Sequence, residues 1–333
     1  MSAPPVIGVT LGDPAGIGPE VLVKALDSID RGAMRLVLYG AGWGLARGAE
    51  AANATVSFRR WPDVTAIDWS MPEWPLIDVG IEAPMDFRMG EVSAICGDIA
   101  VQAVEAAARD ALAGRSAAMM TCPISKEAIH AAGYVDDIGH QEILARLAGV
   151  EWTATMLMTP GLKVVHLSTH KPLIEAARYV TRANVFEKLR LTHDTLARWG
   201  LAAPRIAVAA LNPHGGEGGL LGREEIDEIG PAVADARAGG INAAGPIPAD
   251  SVFNRAIAGE FDVVLALFHD QGHIAVKVHD FHHSVTATLG IPFVRTSVDH
   301  GTAFDIAGRG VADPTGAGAA LDAAAMLAAG KLS

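Results

Sequence analysis

Cysteine is nearly absent. The 333 residues hold two, Cys96 and Cys122, and neither belongs to a C-x-x-C pattern, so no disulfide framework is indicated. Positive charge is scarce as well: 26 Lys and Arg against 38 Asp and Glu leave a formal net charge of −12. Nucleic acid and anionic membrane surfaces are therefore poor partners for the whole molecule. An anionic substrate would need its basic groups concentrated locally. No apolar run approaches the ~18–20 residues that span a bilayer. Met1 to Thr10 lacks a basic n-region followed by an apolar h-region, so no signal peptide is expected. Internal repeats, low-complexity tracts and obvious linkers are also missing. These absences predict a cytoplasmic protein in a reducing compartment, with neither nucleic acid nor membrane as partner.

Apolar residues make up 50% of the chain and charged ones 19%, enough for a large core. The length suits two domains or one large one. Short apolar runs read as buried strands: Val6 to Thr10, Leu36 to Gly40, Ala117 to Thr121, Lys163 to Leu167, Ile206 to Leu211 and Val263 to Phe268. Helical candidates lie among them at Pro19 to Leu26, Val92 to Ala113, Asn184 to Trp199, Arg223 to Ala238 and Leu321 to Ala329. Gly230-Pro231 is placed to kink or split the fourth. This alternation predicts an α/β fold with a largely parallel sheet. Asp63 to Met89 reads as irregular. His269 to Gly316 is dense in His, Asp, Gly and Thr and low in helical period, as ligand-binding segments beyond strand ends tend to be.

Four features carry chemistry. Gly12-Asp13-Pro14-Ala15-Gly16-Ile17-Gly18-Pro19-Glu20 follows a strand and opens a helix. It is either an anion-binding loop or a tight turn, and it matches neither G-x-G-x-x-G nor a Walker loop. His170, His214 and His269 each closely follow a candidate strand. If those strands share one direction, three imidazoles meet at one edge and suit a zinc-like site, whereas each alone also reads as a hydrogen-bonding loop residue. The run Asp299-His300-Gly301-Thr302-Ala303-Phe304-Asp305-Ile306-Ala307-Gly308-Arg309-Gly310-Val311-Ala312-Asp313-Pro314 is the most specific. It is similar to the loop that wraps the adenosine half of NAD(P) in the isocitrate and isopropylmalate dehydrogenases, with Asp313 where those often have Asn. Lys277 and Arg295 are candidates for a phosphate or carboxylate clamp, or for ordinary surface ion pairs.

These runs together resemble the 4-hydroxythreonine-4-phosphate dehydrogenase (PdxA) family from Val6 to Asp313. Gly139-His140, Thr169-His170, Leu211-Asn212-Pro213-His214, Pro248-Ala249-Asp250, His269-Asp270-Gln271-Gly272 and Arg295-Thr296-Ser297-Val298-Asp299-His300 stand in the family's order. The resemblance implies two α/β domains with the active site in the cleft between them, similar to the isocitrate/isopropylmalate dehydrogenase-like fold. Both chain ends, about 1–120 and 245–333, are expected to build one domain, and about 121–244 the metal-binding and dimerisation part. A homodimer with a shared active site is implied.

The implied metal ligands are His170, His214 and His269. The metal would be divalent, zinc first, with cobalt, manganese or magnesium as alternatives. Substrate contacts are expected from His140, Gln141, Lys277, Thr286 and Arg295, and Asp250 and Lys277 as catalytic groups. NAD or NADP would be held by His300, Gly301, Thr302, Asp305, Ile306, Ala307, Gly308 and Asp313. The implied reaction oxidises a small phosphorylated hydroxy acid to a β-keto acid that then loses CO2, feeding pyridoxine biosynthesis in some members.

Three departures bear on the substrate. Gln141 replaces the Thr of biosynthetic members, Thr286 replaces their Asn, and His273-Ile274-Ala275 follows Gly272. The last, with Ala249 to Phe253, is more similar to a catabolic branch that oxidises 4-phospho-D-threonate or 4-phospho-D-erythronate to dihydroxyacetone phosphate and CO2. A third branch, acting on aromatic dihydrodiol dicarboxylates, tends to lose the His and Arg found here as His140 and Arg295. A metal- or nucleotide-binding protein without catalysis is the alternative of another class.

Overall fold

A computed structural model of the protein describes residues 4–137 and 139–332. The chain opens with β1 (Val6–Thr10), α1 (Gly18–Leu26), β2 (Arg35–Gly40), α2 (Gly42–Ala51), β3 (Phe58–Arg60) and β4 (Trp74–Asp78). It continues with α3 (Ala94–Leu112), β5 (Ala118–Thr121), α4 (Lys126–Ala131) and α5 (His140–Ala148). Then come β6 (Ala154–Thr159), β7 (Leu162–His166), α6 (Leu173–Arg178), α7 (Arg182–Arg198), β8 (Ile206–Ala209) and α8 (Gly230–Ala238). β9 (Ala243–Ile247), α9 (Ala249–Ile257), β10 (Val263–Ala266), α10 (His269–His279), β11 (Val285–Leu289), β12 (Val294–Val298) and α11 (Thr315–Ala328) complete it. Two compact units result: Met1–Glu151 with Ile291–Ala328, and Trp152–Gly290 with Ala329–Ser333. No helix among the described residues is long and apolar enough to cross a membrane.

The first unit orders its strands β3-β4-β2-β1-β5-β12, every neighbouring pair parallel. Parallel strands covered on both faces read as continuous apolar runs, and β5 and β12 are buried along their whole length. On α3, Ala100, Ala103, Val104, Ala107, Ala108 and Ala111 are buried at helical spacing, one stripe against the sheet. The second unit orders its strands β11-β6-β7-β10-β8-β9. β11/β6 and β6/β7 are antiparallel; β7, β10, β8 and β9 run parallel.

The α/β expectation holds, although β3, β6, β9, β11, β12, α2, α4, α5, α6 and α9 were not among the expected elements, and three further differences are instructive. β4 lies inside the stretch that reads as irregular, because Trp74 and Pro75 disguise a five-residue strand. The fourth predicted helix is α8 preceded by a π-helical turn at Glu225–Ile229. Pro231 lies just past that π-helical turn, in the first turn of α8. α10 occupies the start of the segment that shows no helical period.

The Gly12 to Glu20 motif is the strand-to-helix turn, buried throughout, and not an open anion cradle. Gly12 has φ +74°, and a Cβ there would lie 2.3 Å from the Pro123 carbonyl oxygen. Asp13 is fully buried. Its Oδ1 accepts the Ala15 N–H at 2.8 Å, while Oδ2 meets no partner. Burial raises its carboxyl to about 6, against the smaller opposing effect of that hydrogen bond. A raised acid favours folding only while protonated. Its stabilising contribution is complete below about 3.8 and lost as pH rises through about 6, by roughly 1–3 kcal/mol. Asp13→Asn keeps an acceptor for Ala15 and removes the charge. The variant should melt higher than the parent at pH 8, and the gain should vanish by pH 4. An equal gain at both values would contradict this reading.

Candidate functional site

The four parallel strands of the second unit release the chain at one edge, where α/β proteins place ligands. His170 lies beyond β7, His269 beyond β10, His214 beyond β8 and Asp250 beyond β9. Strands β7, β10 and β8 are direct neighbours, with Ala266 opposite His166 and Leu265 opposite Val208. The shared direction on which the three-histidine reading depends is therefore present.

The rings of His170 and His269 stand 6.3 Å apart, centroid to centroid. Nδ1 of His269 is 2.6 Å from Asp270 Oδ1, and Nδ1 of His214 is 2.8 Å from Glu217 Oε1. A carboxylate at Nδ1 keeps the proton there and leaves the Nε2 lone pair outward, the arrangement found behind metal-bound imidazoles. All three fit a metal by donor type, and His214 and His269 by tautomer as well. Among the described residues no three His, Cys, Asp or Glu side chains of one chain are grouped to hold an ion. His170 and His269 form a pair, and His214 does not join them.

The His214 loop is built for presentation. His214, Gly215, Gly216, Glu217 and Gly218 all adopt positive φ, two of them without glycine's freedom. The buried Glu225 carboxylate anchors the loop by accepting the N–H of Leu211 at 2.8 Å and of Asn212 at 2.7 Å. The amide of Asn212 donates to its second oxygen at 2.9 Å.

Helix α10 has three faces. Gly272 and Val276 point into the core; Ile274 and Val278 are exposed; His269, His273 and Lys277 recur every fourth residue along the third. Lys277 thus lies ~12 Å along the helix axis from His269. Its Nζ is 5.1 Å from the centre of the Phe281 ring. Asp250 is exposed in the first turn of α9, and Thr286 sits on β11 opposite Leu157.

In the first unit, Arg295 on β12 is buried, and its Nη2 donates to Thr121 Oγ1 at 2.6 Å. Burial pushes the guanidinium down to about 9, which leaves it charged at neutral pH. His140 begins α5, with Gln141 beside it. The residue is half-buried, but its Nε2 is closed off and unpartnered. Burial, then the charge of Arg295, hold His140 well below its ordinary value, against a hydrogen bond with the Cys122 backbone. A buried cation beside a helix N-terminus is suited to an anion, whose charge would favour the protonated His140 ring that can donate to it.

The 299–314 run is a loop stapled to α1. Ile17 N–H donates to the Thr302 carbonyl at 3.0 Å and Ala312 N–H to Glu20 Oε1 at 3.0 Å. Lys24 Nζ donates to the carbonyls of Gly310 and Ala312 at 2.9 and 2.7 Å. His300, Gly301, Asp305 and Gly308 are exposed along it; Thr302, Ile306 and Ala307 are half-buried. Asp313 accepts from Thr315 N–H and hydroxyl at 2.9 and 2.6 Å, which starts α11. A cavity of about 410 Å³ beside the loop is lined by Arg47, Glu50, Ala51, Phe87, Met89, Gly308 and Arg309.

The sequence reading missed the partners: Thr121 for Arg295, Asp270 and Glu217 for the histidines. A carboxylate one or three residues after a strand-end histidine was the available signal.

Comparison with known proteins agrees over nearly the whole chain. Residues 33–324 match the family model described as pyridoxal phosphate biosynthetic protein PdxA. The D-threonate 4-phosphate dehydrogenase of Cupriavidus necator is 43% identical, covering 93% of each chain. The 4-hydroxythreonine-4-phosphate dehydrogenase of Geobacter metallireducens is 42% identical, covering 97% of this chain and 96% of its own. The crystal structure of 4-hydroxythreonine-4-phosphate dehydrogenase from Klebsiella pneumoniae superimposes with a TM-score of 0.90 at 39% identity, covering 97% of this chain and 99% of that one. The chain belongs to the PdxA family.

Proposed function

We propose that the protein is a metal-dependent, NAD(P)-linked dehydrogenase that converts a phosphorylated hydroxy acid to a β-keto acid, which then loses CO2. D-threonate 4-phosphate is the substrate this reading favours. The observation that carries it is the strand-edge set of imidazoles, two of them held by carboxylates so that Nε2 faces outward. It is supported by 43% identity to a relative named D-threonate 4-phosphate dehydrogenase and by Gln141 and Thr286.

A divalent metal, zinc first for an all-imidazole set, supplies Lewis acidity when bound, and a nicotinamide supplies the hydride acceptor. The chain's own residues bind and orient. Arg295 offers a fixed, buried cation for an anionic group, and His140 would donate to that group once its charge draws a proton onto the ring, with Gln141 and Thr286 setting the substituent at C2. Lys277 neutralises a second anionic group. Oxidation at C3 would release a hydride, which a bound nicotinamide would accept, and the hydroxyl proton, which a base of the chain would take. When CO2 leaves, C2 takes up a proton. Asp250 and Lys277 are the groups proposed to move these protons. His300, Gly301, Thr302, Asp305, Ile306, Ala307, Gly308 and Asp313 would hold the adenosine half. The two buried, free thiols suit a reducing cytoplasm.

NADH formation measured side by side on D-threonate 4-phosphate and 4-phosphohydroxy-L-threonine tests the substrate. The threonate should give the higher kcat/KM. A ~100-fold preference for the amino substrate, about 2.7 kcal/mol in transition-state terms, would sink the assignment.

The incomplete ligand set within one chain supports a homodimer in which a second copy supplies His214. The exposed Ile274, Val278 and Phe281, next to the histidine row, suit the contact. If so, His214→Ala and His269→Ala are each inactive alone. Mixed, unfolded and refolded together in equal amounts, they should regain roughly a quarter of parental turnover, because half the dimers are mixed and each holds one intact site. No recovery, with mixed dimers verified by mass, would rule out sharing between these two residues.

A further inference from the structure

Behind His269 stand two more imidazoles that the proposed reaction leaves unused. His273 stacks on His269, with ring centroids 3.6 Å apart and planes 12° from parallel. Its Nδ1 lies 3.1 Å from the His269 carbonyl oxygen, one helical turn back. His166, the last residue of β7, follows at 4.6 Å from the His273 ring. It is 1% exposed, its Nδ1 faces the Thr155 carbonyl at 3.4 Å, and its Nε2 meets no partner.

This arrangement opposes stability twice. A buried nitrogen without a partner is unfavourable. So is a glycine inside a helix, yet Gly272 is required: a Cβ there would lie 2.2 Å from His166 Nε2. An apolar side chain at 166 would carry no orphaned nitrogen. Burial, and next the neighbouring His273, hold His166 down to about 3, so it stays neutral at any working pH. Two unfavourable features beside one ring need a reason other than packing.

We propose that His273, backed by His166, is a positioning residue that fixes the plane of the His269 ring for a divalent cation. Asp270 sets which nitrogen of His269 carries the proton, but one hydrogen bond leaves the ring free to swing about its Cα–Cβ and Cβ–Cγ bonds. Face-to-face contact with His273 removes that freedom, and His166 closes the space on the other side of His273. The inference rests on the metal reading above and concerns geometry rather than titration.

Cobalt(II), titrated into the full-length protein, is the probe, because its visible spectrum reports ligand geometry separately from turnover. His273→Leu removes the flat partner; His273→Phe keeps a flat ring without nitrogens. The leucine variant should bind cobalt roughly 10–100-fold more weakly and shift the spectrum, while the metal-free protein melts no lower than the parent. The phenylalanine variant should recover most of the affinity and the parental spectrum. A leucine variant with parental affinity and spectrum overturns the proposal. So does a phenylalanine variant as weak as the leucine one. A parent protein that takes up no cobalt contradicts the metal reading itself, before any variant is compared.

Discussion

The structure of the second unit depends on one constraint: β7, β10, β8 and β9 are parallel neighbours and must all release the chain at the same edge. A strand that ran the other way would carry its following loop to the opposite edge. Because none of the four does, His170, His214, Asp250 and His269 belong to one edge although whole strands and helices separate them in sequence. The same constraint starts α10 at that edge, so the helix carries His269, His273 and Lys277 away from it in a row.

The first unit solves a different problem. Arg295, the cation proposed for an anionic group, is fixed by strand pairing, beside Met119 of β5 and bonded to Thr121. Burial strengthens the field of such a charge, and His140, under that field, stays neutral with one nitrogen unpaired. The loop 299–314 is held by α1 through Glu20 and Lys24. This gives the Gly12 to Glu20 motif a role that neither an anion loop nor a simple turn captures: its helix is the brace for the dinucleotide-type loop.

Much of the fold was legible because buried parallel strands are continuous apolar runs. The strand-end histidines were legible for the same reason, since each follows such a run. α10 was hidden: its faces divide into core, apolar surface and histidine row, so no single apolar period emerges, and Gly272 lowers its helical propensity. β4 was hidden by Pro75 and Trp74. The pairing of His214 with Glu217 depends on a run of positive φ angles, and that of Arg295 with Thr121 on strand register; neither is written in residue spacing. His166 reads in sequence as one more residue of an apolar strand, because the room that Gly272 leaves for its ring exists only in the folded chain.

The central claim is that outward-facing Nε2 atoms of these histidines hold a divalent metal. Its most direct measurement is an anomalous-scattering map from crystals grown with zinc. The account predicts a peak within bonding distance of Nε2 of His170 and His269 of one chain and of Nε2 of a His214 from a second copy, with Asp270 still on Nδ1 of His269. A peak away from all three histidines, or bonded through Nδ1 of His269, would contradict it.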